Sequence, residues 1–179
     1  MAGAHASRDR SAGCRVAFTI SLIGTFSRAG LSLLRKIRVL PLFSATKWKP
    51  EPGERYAVIT LIDVGRNVTR LPKHPGFVER LVIHVDDVTL AEEIVDGERV
   101  WHALTSVQAA EIAFFAHHMR DQADVLLVHC VAGLSRSPAV GTAIAEALEI
   151  DDLEIRSQDA IPNRHVLELM REALATPGS

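Results

Sequence analysis

The sequence predicts an α/β fold, with a mainly parallel central sheet of about four to five strands flanked by helices. Short apolar runs rich in β-branched residues, such as Tyr56 to Ile62 and Val125 to Val128, read as strands buried on both faces. Stretches with apolar residues at helical spacing alternate with them, as they do where parallel strands are joined by crossovers. The 179 residues, 47% hydrophobic and 23% charged, allow one domain with a sizeable core and are too apolar for a disordered chain.

Residues 1 to 36 read as a basic extension outside that domain, which is expected to span residues 37 to 176. Up to Arg38 there are seven Lys or Arg and one acid, Asp9, so this stretch carries +6, and the remainder, 13 basic against 21 acidic residues, carries −8. The apolar run from Val16 to Phe26 is broken by Thr19, Ser21, Gly24 and Thr25 and is too short to span a membrane. A targeting segment and a membrane-surface helix compete with the extension, and membrane contact through it is not expected.

Ile37 to Leu42 is the first expected strand, followed by a linker rich in Pro and charge, Ala45 to Glu54. Tyr56 to Ile62 is the second, stopped at Asp63-Val64-Gly65, and Arg66 to Gly76 reads as a loop or short helical turn with two prolines. Leu81 to Val85 is the third, ending in Asp86-Asp87. The acidic stretch from Leu90 to Trp101 has a turn at Asp96-Gly97 and is otherwise ambiguous. Thr105 and Gln108 form a capping box for a helix running to Arg120, along which Val107, Ala110, Ile112, Phe114, Phe115 and Met119 recur. After the strand at Val125, Ser137 can cap a helix with Pro138 in its first position, running to about Leu148. An acidic segment then leads to Asn163, expected to cap a last helix from Arg164 to Leu174.

The junction from His129 to Val140 carries the chemistry. Five residues separate Cys130 from Arg136, and Gly133 lies between them. A tight turn from a strand into a helix N-terminus gathers backbone N–H groups into a concavity that attracts a phosphate and favours a thiolate at Cys130. Val131, Ala132, Gly133, Leu134, Ser135 and Arg136 form the expected phosphate-binding loop. Arg136 can grip two phosphoryl oxygens with its planar fork, which Lys would not replace well, and Gly133 allows a backbone conformation that a side chain would obstruct. Ser137 can donate its hydroxyl to the Cys130 sulfur, and His129 orders the loop by hydrogen bonding.

His-Cys-x-x-Gly-x-Ser-Arg-Ser, residues 129 to 137, resembles the signature of the cysteine-dependent protein tyrosine phosphatase superfamily in its dual-specificity branch. The likeness extends from Ile37 to about Leu174 and is concentrated in those nine residues. It implies a phosphatase-like fold with the Cys-x5-Arg loop between strand and helix, hydrolysis of phosphate monoesters through a phosphocysteine, and an upstream Asp as general acid. The candidates are Asp86 and Asp87. Asp87 is preferred because Asp87-Val88 is similar to the pattern of a bacterial branch of the family. Asp87 lies 43 residues before Cys130, farther than the family usually places its acid, and Glu92 to Trp101 reads as an insertion between them, with Asp96 the fallback acid. Pro162-Asn163 also looks like the bacterial branch, although helix capping accounts for it.

Asp63 reads as a turn residue. Trp48 and Trp101 could line an aromatic slot, with packing the commoner role. His117 and His118 are adjacent on a helix and point apart, so no metal or other cofactor is expected. A disulfide between Cys14 and Cys130 would silence the nucleophile, so a reducing cytoplasm is the consistent compartment. Val131, Ala132, Leu134 and Ser135 bring no positive charge, which argues against polyphosphorylated inositols, and the acidic domain argues against nucleic acid. The expected partner is a phosphorylated protein or a small phosphate ester, taken by a monomer. Two other classes stay open: a sulfurtransferase or arsenate-reductase-type thiol enzyme, and a phosphoprotein-binding pseudophosphatase.

Overall fold

Strand propensity and burial set the elements of the computed structural model, which describes residues 33–88, 94–96 and 99–175. In chain order these are β1 (Lys36–Pro41), α1 (Leu42–Ala45), β2 (Tyr56–Ile62), β3 (Phe77–His84), β4 (Ile94–Asp96), β5 (Arg99–Trp101), α2 (Ser106–Met119), β6 (Val125–Cys130), α3 (Arg136–Leu148), β7 (Asp152–Ile155) and α4 (Arg164–Ala175). Five strands form the central sheet in the order β3-β2-β6-β1-β7, with every neighbouring pair parallel. β4 and β5 make a separate antiparallel hairpin within the stretch that the sequence leaves ambiguous.

All six residues of β6 are buried, as are all seven of β2, in keeping with two central strands covered on both faces. The two faces are covered unequally. Ile37, Val39, Ala57, Ile59, Leu61, Leu126 and Val128 point to the face on which α2, α3 and α4 pack. Leu40, Tyr56, Val58, Val125 and Leu127 point to the other, closed by Ala45 of α1 and by Trp48, Leu71 and Phe77. Short segments therefore do on that face what the alternating pattern led us to expect of long helices.

The capping box forms: Thr105 Oγ1 accepts the Gln108 N–H at 3.2 Å, and Gln108 Oε1 accepts the Thr105 N–H at 3.1 Å. Within α2 the buried side is Ala109, Ile112, Ala113, Phe115, Ala116 and Met119, whereas Val107 and Phe114 are exposed. A Cβ on Gly141 would lie 2.5 Å from Val39 Cγ2, so glycine lets α3 sit close against β1.

Two elements differ from expectation. β3 begins at Phe77, four residues before the apolar run. β7 lies in the acidic segment after α3, where Arg38 holds Asp152 through a two-pronged ion pair (2.6 and 2.9 Å) and reaches Glu154 at 3.3 Å. The α/β unit also starts before Ile37: Leu34 is buried, and the Leu33 and Leu34 N–H groups donate to Arg120 O. The expectations for residues 1 to 32 and for Cys14 lie outside the described residues. Among those described, no helix is long and apolar enough to cross a membrane.

Candidate active site

Pro41, Asp63, Asp86-Asp87 and Cys130 lie at the carboxyl ends of β1, β2, β3 and β6, the edge where open parallel sheets bind ligands. The loop from Cys130 to Arg136 is held from outside. Val131 O accepts the Leu42 N–H, Leu134 O the Ile161 N–H, and Ser135 O the N–H groups of Ala139 and Asn163. In a trans peptide the N–H of the next residue points opposite to the carbonyl, so Ala132, Ile161-bound Leu134's neighbour Ser135, and Arg136 turn their N–H groups away from these partners. Gly133 has φ +71°, and a Cβ there would lie 2.6 Å from Pro41 N. Both the left-handed conformation and the close approach to β1 call for glycine.

Cys130 is 2% exposed, and its sulfur accepts the Gly133 N–H and the Ser137 hydroxyl, each at 3.2 Å. The expected contact between Ser137 and the sulfur is thus present, whereas the expected cap is not. α3 starts at Arg136, Ser135 occupies the N-cap position without a side-chain cap, and Ser137 and Pro138 fall within the first turn. The Ser137 hydroxyl is committed to the sulfur instead.

Arg136 is 4% exposed. Its Nη1 donates to Val85 O and forms an ion pair with Asp63 Oδ1 (2.8 Å), which fixes one corner of the guanidinium. Its Nε–H is buried with no acceptor and lies 3.7 Å from Asp87 Oδ2. Asp63 is more than the turn residue expected: its carboxylate links Arg136 to Arg66, whose Nε is 3.2 Å from Oδ2. A position at the end of a strand beside β6 was the signal for it.

The two adjacent aspartates have different surroundings. Asp86 is buried, and its carboxylate accepts the Val64 N–H at 3.3 Å and the His102 N–H at 3.0 Å, joining two loops. Asp87 is 38% exposed beside the Cys130 loop. Its Oδ1 accepts Ser135 Oγ–H at 2.8 Å and Asn163 Nδ2–H at 3.0 Å. The expected cap at Asn163 forms through Val166 N–H, yet capping does not account for the contact with Asp87. The fallback Asp96 has a side chain outside the described residues. Trp48 packs edge-to-face on Tyr56 at 5.3 Å, on the sheet face closed by loops.

His129 is buried with Nε2 2.9 Å from Thr60 Oγ1, its cross-strand neighbour, and Thr60 Oγ1 also accepts Arg80 Nε–H at 2.8 Å. Burial, assisted by the Arg80 charge, pushes its pKa from 6.5 to about 4. An unfolded histidine takes up a proton as pH falls through 6.5, whereas folded His129 resists until about 4. The unfolded state therefore binds more protons in that window, and stability present above it is lost as pH falls, by about 3 kcal/mol. Urea unfolding from neutral pH down to the lower end of the window should show this loss shrinking in His129→Gln. Equal pH dependence in both proteins would refute the assignment.

Among the described residues no three His, Cys, Asp or Glu side chains converge as a metal site. Searches of protein-family models, curated proteins and solved structures found no match to this chain.

Proposed function

We propose that this chain is a phosphate monoester hydrolase of the protein tyrosine or dual-specificity phosphatase kind, acting through a phosphocysteine. The observation that carries the reading is the buried Arg136 Nε–H without an acceptor, beside a cysteine sulfur that receives two hydrogen bonds in a tight strand-to-helix loop. An unpaired buried donor costs about 1–3 kcal/mol. A phosphoryl oxygen would satisfy it, with a guanidinium already fixed at its other corner by Asp63 and Val85 O.

Cys130 attacks phosphorus while Arg136 and the N–H groups of Ala132, Ser135 and Arg136 hold the oxygens. Asp87 protonates the departing alcohol or phenol. Water then cleaves the S–P bond with Asp87 as base, and the Ser137 hydroxyl stabilises the departing thiolate. The scheme uses no metal or organic cofactor, needs Cys130 reduced, and suits a reducing cytoplasm. Its substrate is a phosphorylated protein or a small phosphate ester. The position of Asp87 beside the loop, despite a separation of 43 residues from Cys130, favours turnover over binding alone.

The test is phosphate release from p-nitrophenyl phosphate by the reduced protein across about pH 4 to 8. Asp87→Asn should lose the decline in rate that deprotonation of the acid causes as pH rises. With phenyl phosphate it should be slower by about 10²-fold. No release by a folded, reduced sample would sink the reading.

A further inference from the structure

Asn163 is 3% exposed at the start of α4. Its Oδ1 caps the helix by accepting the Val166 N–H at 3.2 Å. The amide nitrogen has a different task, since it donates to Asp87 Oδ1 at 3.0 Å and to Val88 O at 2.9 Å. The Asn163 backbone N–H donates to Ser135 O at 3.1 Å. One buried residue thus fastens the segment carrying Asp87 to the loop carrying Cys130.

The contacts also distinguish the two oxygens of Asp87. Oδ1 accepts from both Asn163 and Ser135. A proton placed there would face two donors, so that oxygen is the poorer seat for it. Oδ2 forms an ion pair with Arg136 Nε at 3.7 Å, too far for a hydrogen bond.

Building on the phosphatase reading, we propose that Asn163 is a positioning residue for the general acid: with Ser135 it occupies Asp87 Oδ1 and so assigns the transferred proton to Oδ2, on the side of Arg136. As the bond from Cys130 Sγ to phosphorus forms, the electron pair of the breaking P–O bond passes to the ester oxygen, which takes the proton from Oδ2. In the second step the water oxygen bonds to phosphorus, the S–P pair returns to sulfur, and Oδ2 takes the water proton. Oδ1 keeps its two hydrogen bonds throughout, so the acid changes charge without changing place.

Two variants test this in the full chain. Asn163→Ser keeps a capping oxygen and loses the amide donor. Ser135→Ala removes the other donor and leaves the cap untouched. The probes are phenyl phosphate, whose leaving group needs a proton, and 2,4-dinitrophenyl phosphate, whose leaving group does not.

In folded protein with a melting temperature near that of the unaltered chain, each variant should lose on the order of 10- to 100-fold in kcat with phenyl phosphate and less than about threefold with the dinitrophenyl ester. Asp87→Asn combined with Asn163→Ser should be little slower on phenyl phosphate than Asp87→Asn alone. Equal losses on the two esters, no loss on either, or losses that multiply in the double variant would overturn the role of Asn163 and leave the phosphatase reading standing. If the unaltered protein turns over neither ester, the phosphatase reading fails and this role fails with it.

Discussion

Cys130→Ser is expected to abolish phosphate release, with a loss on the order of 10⁴-fold or more, in a protein that melts close to the unaltered one. A serine hydroxyl is similar in size to the thiol and can still accept from the Gly133 N–H and the Ser137 hydroxyl, the two donors at the sulfur. What it lacks is the intrinsic nucleophilicity of sulfur. The nearest candidate base in sequence, His129, has its Nε2 occupied at Thr60 and cannot activate a hydroxyl through that atom. Arg136 and the loop remain in place, so the variant should still bind phosphotyrosine in a calorimetric titration while releasing no phosphate. Retained turnover would put the nucleophile elsewhere.

Arg136→Lys should lose on the order of 10³-fold in kcat/KM. The guanidinium spends Nη1 on Asp63 and Val85 O and has its Nε–H without a hydrogen bond, 3.7 Å from Asp87 Oδ2. One ammonium nitrogen can stay with Asp63 or reach a phosphoryl oxygen, and its geometry does not serve both. Because the lysine keeps a positive charge for Asp63, the melting temperature should change little while inhibition by inorganic phosphate weakens. A variant with unchanged kcat/KM would show that the phosphoryl group is held by other donors.

Much of the fold is legible wherever local signals and tertiary burial agree. β2 has the bounds its apolar run gives, and Thr105 and Gln108 announce the start of α2. β7 is not legible because two of its four residues are acidic and exposed, and the partner that makes them suitable for a strand, Arg38, is 114 residues away from Asp152. The second sheet face is another case, since a strand buried on both sides looks the same whether a helix or a loop covers it.

In the candidate site, the motif brings Cys130, Gly133, Arg136 and Ser137 into view. It cannot separate Asp86 from Asp87, adjacent residues of one type that differ only in where their carboxylates point. Val64 and His102 claim the first, while Ser135 and Asn163 claim the second. The tie from Asp63 to Arg136 and the contact of Asn163 with Asp87 depend on long-range pairing, so a strand-end position and a Pro-Asn pair mark the residues but not their partners.

The parallel pairing of β6 with β1 and β2 has a consequence for how the protein reaches its working state. Parallel neighbours are necessarily distant in sequence, so loop-closure entropy is spent before the contacts that reward it are made, and such topologies fold slowly. The proposed chemistry uses Asp63, Asp87, the Cys130–Arg136 loop and Asn163, which come from four places along the chain and meet only when β2, β3, β6 and α4 have docked. Recovery of activity on refolding is therefore expected to follow the docking of these elements rather than the appearance of secondary structure.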